Sequence, residues 1–533
     1  MRMSLNSRLS EGGLARAHLA YWELMQATGR TRQYFLNVFW SWLGVVTLVG
    51  TGVAVSPVLF RTLGDVQAGI WTLALSFVEY FWIIDIGFRP ATVKLCAQFL
   101  AEGRRERVNA LLNTAICYTG LAGIIVFAVI SWGGAAIARL LKVTHPDFGF
   151  LLFAVGLSWS FGLVFNVFVA ALEGFERFDL SSRNSILVMF VRGVGTLGLL
   201  WSGYGLRALG WNMLAAQFLG YGLTAWQLYR IYPELRFHPG LVDRDMAGRL
   251  FAYARQVAPA LLASRMQVAL LPGLIASLGS VRLVAYFGNT QKVLEYMGEG
   301  IGRIGQVTMP RVTEWQTRGE TAKIVALAHY GNRYCLMLWL VVATFLAVYS
   351  EALFRLWINE KFALETRGLM PVLLVGYTLS YGQFLSAAIL MGIARYQRYS
   401  LSFFGEALMV LGGTAFLLPR YGLKGVAVAL AVGITVNRSL NLSWIFQSEF
   451  RVAWLGMMVS IYTMPLALGA VSVLGLRVLR ETVLPGTHLW ELILAGMLNT
   501  ALLAVAAFWA VLEPEHRQLV VTQVRRRCGL AIA

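Results

Sequence analysis

Charged residues are scarce in this chain of 533 residues. Asp, Glu, Lys and Arg make up 14% of it, whereas hydrophobic residues make up 58%. Soluble domains carry about 25% charged residues, and a mean hydropathy of +0.64 over this length is more than one soluble core can bury. The shortage of charge therefore excludes a soluble protein and predicts an all-α polytopic membrane protein.

Cysteine and histidine are also rare, with four and six copies respectively. The cysteines lack the spacing of a metal or redox site, and the histidines in polar segments form no cluster. We therefore expect no metal ion and no other cofactor.

Further absences limit the mechanism. The sequence has no G-x-x-x-x-G-K-[ST] phosphate loop, which excludes a nucleotide-driven motor of that kind. The longest internal polar segment, residues 229–250, is too short for a catalytic domain. The net charge of +18 is spread over short connections, where Lys and Arg orient helices and meet anionic lipids. We therefore expect neither an enzyme nor a nucleic-acid-binding protein.

Apolar runs of about 20 residues, the length that crosses a bilayer, are abundant. They predict about fourteen transmembrane helices. The runs are residues 36–60, 70–88, 110–132, 149–172, 185–201, 208–228, 251–278, 281–309, 325–349, 369–393, 399–418, 425–446, 453–476 and 489–511. Lys and Arg concentrate in alternate connections, which predicts that both termini are cytoplasmic.

Three short matches recur in the same order at nearly one offset. SPVLFRTLGDVQAGIW (56–71) resembles LPGLIASLGSVRLVAYF (271–287), GFERF (174–178) resembles GIARY (392–396), and YGLR (204–207) resembles YGLK (421–424). Repeats of even helix number predict two pseudo-symmetric six-helix lobes with a site between them. The predicted segments are an N-terminal cytoplasmic segment (1–35), an N-lobe (36–228), an inter-lobe loop (229–250), a C-lobe (251–446), two further helices (447–511) and a basic cytoplasmic tail (512–533).

Charged residues inside the predicted spans cost about 2.5–3.5 kcal/mol each on insertion scales, so each should face a cavity, a partner or the interface. The planar guanidinium of Arg suits phosphate recognition. The residues predicted to bind a diphosphate or sugar in a central cavity are Arg192, Arg265, Lys292, Arg303, Arg333 and Arg438. The acidic residues predicted to line the lumen, for gating or coupling, are Glu79, Asp85, Glu295, Glu299 and Glu406.

A structural alternative remains for part of this set. Lys292 with Glu295, and Glu299 with Arg303, have helical spacings that allow pairing on one face. Asp85 lies near the predicted end of its helix, where an anchoring or gating contact is the favoured interpretation.

Three segments carry a family resemblance. FRTLGDVQAGIW (60–71), IIDIGFRPATVKLCAQFLAEG (83–103) and YGLKGVAVA (421–429) resemble motifs of polysaccharide-transport flippases, including O-antigen (Wzx-type) flippases. These flippases belong to the multidrug/oligosaccharidyl-lipid/polysaccharide (MOP) exporter superfamily.

The resemblance implies a function. Such proteins move lipid-linked sugars, typically on undecaprenyl diphosphate, across the bacterial cytoplasmic membrane by alternating access around a cationic lumen. The implied partners are the lipid-linked glycan and membrane lipids, with glycan polymerase machinery as a further candidate. The alternatives are a multidrug or cation antiporter of the MATE type, and a membrane-embedded glycan polymerase or ligase.

Overall fold

The computed structural model describes residues 30–85 and 87–527, apart from some side chains, those of Glu79 and Arg303 among them. Within these ranges the chain forms helices joined by turns, and no strand. This confirms the predicted all-α polytopic class. Residues 1–29 and 528–533 of the predicted terminal segments lie outside the described residues.

The helices are numbered in chain order. They are α1 (Arg30–Ile84), α2 (Phe88–Ala101), α3 (Arg105–Leu140), α4 (Asp147–Gly174), α5 (Phe178–Trp201), α6 (Leu206–Ile231), α7 (Arg244–Leu278), α8 (Val281–Thr317), α9 (Thr321–Trp357), α10 (Glu360–Glu365), α11 (Leu369–Tyr381), α12 (Phe384–Gly392), α13 (Gln397–Tyr421), α14 (Leu423–Ile434), α15 (Leu442–Phe450), α16 (Trp454–Thr482), α17 (Leu489–Ala510) and α18 (Pro514–Arg527). A π-helical segment, Thr435–Asn441, joins α14 to α15.

Helix α1 contains the first two predicted spans, which meet at a corner. Gly64 there has φ 74° and ψ 178°, a backbone conformation that glycine adopts without a steric penalty. The chain therefore changes direction at one residue instead of over a longer connection. Helices α7 and α8 also meet beside a glycine, Gly279, 215 residues later, although its backbone conformation differs (φ −119°, ψ −106°).

Turns on the other side of the fold repeat as well. Gly103 and Gly319, 216 residues apart, have φ 71° and 70°, and each precedes a long helix. Glu176 and Ala394, 218 residues apart, have φ 61° and 57° although both carry a Cβ atom. Corresponding turns thus recur at the offset of the sequence matches, which supports the predicted repeat.

Eleven helical segments among the described residues are long and apolar enough to cross a membrane. The three other predicted spans are residues 70–88, most of which belong to α1, and helices α6 and α8. Helix α8 is less apolar because it carries Lys292, Glu295 and Glu299. The number of fourteen spans stays a prediction.

Some elements differ from the predicted ones. Residues 88–101, expected to be mostly a connection, form α2. The predicted span 369–393 is interrupted at Gly382–Gln383, and the span 425–446 contains the π segment. A π turn inserts one extra residue per turn and is common at functional sites.

Packing follows the two halves. Helix α1 packs on α5, α3 on α4, and α4 on α6. In the second half, α7 packs on α13, α11 on α14, and α9 on α11. Helices α16 and α17 both pack on α9, and α1 packs on α7 and α8 across the two halves.

Helix α7 also touches the first half near its start. The ring of Phe251 makes edge contacts with Phe88 and Tyr118, with centroids 5.1 Å apart in both pairs. The Lys94 ammonium lies 5.1 Å from the centre of the Tyr253 ring. Helix α7 therefore contacts the first half directly, through side chains near its start, as well as following that half in the chain.

The connection before α7 is fastened to α3 by hydrogen bonds. Asn109 Nδ2 donates to the carbonyl of Glu234 (2.9 Å), and Asn113 Nδ2 donates to the carbonyl of Arg236 (2.7 Å). The backbone amide of Asp243 donates to Thr114 Oγ1 at 2.9 Å. This connection thus follows the surface of the first half rather than hanging free.

Candidate functional site

The best-defined charged pair in the core joins α13 to the π segment. Arg438 donates to both carboxylate oxygens of Glu406, with Nη2–Oε1 at 2.6 Å and Nε–Oε2 at 3.1 Å. Asn437 Nδ2 donates to Glu406 Oε2 at 2.8 Å. The Glu406 side chain is fully buried and that of Arg438 is 32% exposed. A buried carboxylate held by three donor atoms is compensated, so this pair is stable in an apolar environment.

Beside this pair lies a cavity of about 380 Å³, which we call the C-lobe cavity. Its walls come from α8, α11, α12, α13, α15 and the π segment. Aromatic rings dominate it, and Ser380, Gln383 and Arg438 add polar groups. The aromatic side chains in the wall are Tyr377, Tyr381, Phe384, Tyr396, Tyr399 and Phe403.

Neighbouring rings fix this aromatic wall. Trp339 stacks on Tyr381 with centroids 4.2 Å apart, and its indole Nε1 donates to Thr378 Oγ1 at 2.9 Å. Tyr399 lies between Tyr396 and Phe403, at 5.5 and 5.1 Å. These contacts hold the rings in place before any ligand arrives, which lowers the entropy lost on binding.

A second cavity, of about 210 Å³, lies between the two halves, and we call it the inter-lobe cavity. Thr72 and Ser76 of α1 and Gln267 of α7 line it. Helix α8 contributes Lys292 and Glu295. Two predicted site residues therefore line a cavity built from both halves.

Arg192 belongs to the same region. It is half-buried on α5 and lies close enough to Lys292 for the two charges to interact. Glu295 accepts a hydrogen bond from Gln291 Nε2 at 3.0 Å. The structure thus brings Arg192, Lys292 and Glu295 together, from helices that are distant in sequence.

The two cavities adjoin each other. Tyr377, in the wall of the C-lobe cavity, lies within electrostatic range of both Glu295 and Arg438. Tyr381 is similarly close to Arg438, Glu295 and Glu299. Helix α8 and the tyrosines of α11 therefore separate the two cavities.

The remaining predicted residues have different surroundings. Arg265 and Glu299 are exposed, on α7 and α8. Asp85 is buried in the turn between α1 and α2 and accepts a hydrogen bond from Asn166 Nδ2 at 3.3 Å. The side chains of Glu79 and Arg303 lie outside the described residues.

Arg333 is directed to the end of the last long helix. Its Nη1 lies 3.4 Å from Glu513 Oε1, and its Nη2 donates to the carbonyl of Ala510 at 3.3 Å. Neither cavity has Arg333 in its wall. These contacts attach the end of α17 to α9. A substrate-binding role for Arg333 stays a prediction.

The two halves also meet at the face where Gly64 lies, which the charge pattern predicts to be external. Lys361 forms an ion pair with the buried Asp65. Arg61 Nε donates to the carbonyl of Ile358 at 2.9 Å, and Phe362 packs edge-on against Phe60, with centroids 5.1 Å apart. We call this set the outer contact.

We expect Asp65→Asn to weaken the outer contact. Loss of a partly exposed ion pair changes the free energy by up to about 1 kcal/mol, which shifts the ratio of closed to open molecules roughly fivefold. Spin labels are attached through cysteines introduced at Thr62 and Leu364, in a background without other reactive cysteines, and the distance between them is measured by electron paramagnetic resonance. The Asp65→Asn variant should have a larger population at long distance than the wild type. Glu314→Gln removes ion pairs with Arg311 and Arg318 at the end of α8, away from the outer contact, and is the control. Identical distance distributions in Asp65→Asn and the wild type would show that the ion pair of the outer contact does not help to hold the two halves together.

The aromatic wall is the main feature that the charge-based prediction missed. Its residues carry no charge, and two pairs share a helix face at spacings of four and three, Tyr377 with Tyr381 and Tyr396 with Tyr399. Tyrosines at such spacings are a usable sequence signal. Among residues 30–85 and 87–527, no group of three or more His, Cys, Asp or Glu side chains is placed to hold a metal ion.

Comparison with known proteins agrees with this architecture. A family profile described as "Polysaccharide biosynthesis protein" matches residues 58–364, more than half of the chain. A Shigella flexneri protein named as a candidate O-antigen transporter is 19% identical over 417 residues, which cover 77% of this chain and 97% of that protein.

Solved structures share the fold. The lipid II flippase MurJ, in an inward closed conformation, has a TM-score of 0.70 at 11% identity and covers 88% of this chain and 98% of its own. An inward-facing MATE family multidrug resistance transporter of the MOP superfamily has a TM-score of 0.63 at 13% identity, over 78% of this chain and 98% of its own. The resemblance seen in the sequence motifs is thus confirmed, and the chain belongs to the polysaccharide biosynthesis protein family, with the fold of MOP superfamily transporters.

Proposed function

We propose that the protein is a flippase that moves a lipid-linked oligosaccharide or polysaccharide repeat unit across the bacterial cytoplasmic membrane. The lipid carrier is of the undecaprenyl-diphosphate type, and transport proceeds by alternating access. Both termini are cytoplasmic in this proposal, and its partners are the lipid-linked glycan and membrane lipids, with glycan polymerase machinery as a further candidate.

The observation that carries the proposal is the basic pair at the inter-lobe cavity. Lys292 lines a cavity to which both halves contribute, and Arg192 from the first half is within electrostatic range of it. Glu295 lines the same cavity and offsets one of the two positive charges, and the remaining positive charge is unfavourable in a membrane protein without a counter-charge. A diphosphate supplies that counter-charge and also accepts several hydrogen bonds.

The position of this pair suits a transported group. The lysine lies on α8 and the arginine on α5, so a movement of one half against the other changes the distance between them. A ligand that bridges the two would favour one arrangement of the halves by its differential affinity. The outer contact supports the same mechanism, because it joins the halves through one ion pair and a few hydrogen bonds and aromatic contacts that can separate.

The relatives support the class of cargo. The Shigella flexneri relative is named for O-antigen transport, and the MurJ structure is named for flipping lipid II. The family and the geometry of the inter-lobe cavity together support the proposal.

The experiment is a leaflet assay in a deletion strain of the source bacterium. Lipid-linked glycans are labelled with a membrane-impermeant sugar-modifying reagent, before and after inner-membrane vesicles are opened. The expected result is that complete repeat units are confined to the cytoplasmic leaflet in the deletion strain. They should reach the outer leaflet again when the gene is restored. Normal glycan lipids with increased drug sensitivity would instead indicate an antiporter, and unpolymerised units in the outer leaflet would indicate a polymerase or ligase.

A further inference from the structure

The C-lobe cavity differs from the inter-lobe cavity in charge. Its one basic residue, Arg438, is already paired with the fully buried Glu406. The tyrosines in its wall also lie near the carboxylates of Glu295 and Glu299. Glu406 already balances the charge of Arg438 here, whereas the inter-lobe cavity sets two basic groups, Lys292 and the nearby Arg192, against the one carboxylate of Glu295.

The wall of the cavity provides a different kind of recognition. The faces of aromatic rings carry partial negative charge, and the C–H groups on one face of a pyranose ring carry partial positive charge. Stacked or edge-held rings such as Tyr381 and Tyr396 therefore offer flat surfaces on which a sugar can pack. The volume of about 380 Å³ falls within the range of roughly 300–1,000 Å³ seen for small-molecule sites.

Polar groups are available for the sugar hydroxyls. Arg438 binds Glu406 through Nε and Nη2, so its Nη1 is the end that the carboxylate leaves unengaged. Ser380 and the tyrosine hydroxyls add further donors and acceptors in the same wall. A few placed polar groups on a mainly apolar lining is the usual composition of a specific ligand site.

We infer that the C-lobe cavity is a sugar subsite, distinct from the diphosphate position at Lys292 and Arg192. The inference rests on the proposed function and divides its substrate between two places. Lys292 and Gly302, one beside each position, are ten residues apart on α8, which is about 15 Å along the helix axis. A glycan of a few sugars attached to a diphosphate can span that distance.

The test compares two lipids on the purified full-length protein in lipid nanodiscs. One is undecaprenyl diphosphate, and the other is undecaprenyl diphosphate carrying a short linear glycan of N-acetylglucosamine residues, long enough to span the distance of about 15 Å between the two positions. The wild type is expected to bind the glycosylated lipid more tightly. Tyr381→Leu should weaken binding of the glycosylated lipid roughly tenfold, because an aromatic contact is lost, and should leave binding of the bare lipid unchanged.

Two further variants separate recognition from folding. Tyr381→Phe keeps the ring and should retain most of the preference for the glycosylated lipid. Phe416→Leu removes an exposed aromatic side chain on α13, outside the cavity wall, and should behave as the wild type.

The other outcomes overturn the inference in distinguishable ways. If the wild type binds both lipids equally, or Tyr381→Leu weakens both to the same degree, the sugar subsite is wrong while the proposed flippase stands. If the wild type binds neither lipid, the proposed function fails and the inference fails with it. Tighter binding of ethidium than of the glycosylated lipid, lost in Tyr381→Leu, would assign the cavity to organic cations.

Discussion

Glu406→Ala is expected to destabilise the protein by about 3–5 kcal/mol, because it leaves a cationic guanidinium in the core without its partner. Arg438 would lose all the hydrogen bonds that it makes to Glu406, and Asn437 would lose one. Thermal unfolding in nanodiscs, followed by intrinsic fluorescence, should show a markedly lower Tm and a smaller yield of folded protein.

A double variant tests the reason for that loss. Glu406→Met combined with Arg438→Met removes both charges and should recover much of the stability, since a buried pair is often replaceable by apolar side chains. Glu314→Gln, which removes exposed ion pairs on α8, should change stability by less than about 0.5 kcal/mol. A single Glu406→Ala variant as stable as the wild type would show that Arg438 finds compensation elsewhere.

Lys292→Met is expected to reduce transport about 10- to 100-fold. One hydrogen bond to a charged group contributes about 1.5–3 kcal/mol, and each 1.4 kcal/mol corresponds to tenfold in affinity. The measurement is the rate at which a labelled undecaprenyl-diphosphate-linked glycan in proteoliposomes becomes accessible to an impermeant quencher. Folding and membrane level should be retained, because methionine replaces the aliphatic part of the lysine side chain.

Matched variants make this result specific. Lys292→Arg keeps the positive charge and should retain most of the activity, whereas Arg192→Met should resemble Lys292→Met. Lys323→Met changes an exposed lysine that pairs with Glu320 at the start of α9 and should be neutral. If Lys292→Met transported at the wild-type rate, the assignment of diphosphate binding to the inter-lobe cavity would be wrong.

The sequence was sufficient for the all-α class and for most of the helices, because apolar runs of bilayer length depend on local composition. Three short matches predicted the repeat, whereas residues 88–101 were not expected to form α2. The repeat offset predicted from GFERF and GIARY reappears in the positive φ of Glu176 and Ala394. The corner at Gly64 and the π segment were not predictable in this way, since each is a departure of a single turn from a regular pattern.

The candidate site was predictable only in part. Depth along a helix can be counted from the sequence, but the direction in which a side chain points depends on how the helices pack. Arg333 and Arg438 were both predicted to bind the substrate in a central cavity, yet one contacts Glu513 and the other lines the C-lobe cavity. Glu406 and Arg438 were assigned separate roles by the sign of their charge, and their pairing across 32 residues was not visible in the sequence.

The hydrogen-bonded connection before α7 has a consequence for biosynthesis. Asn109, Asn113 and Thr114 hold residues 234–243 against α3, and all of these residues precede α7 in the chain. The hydrogen bonds therefore need no part of the second half, so a nascent chain can form them before α7 is made. They then fix the point at which α7 starts relative to the first half.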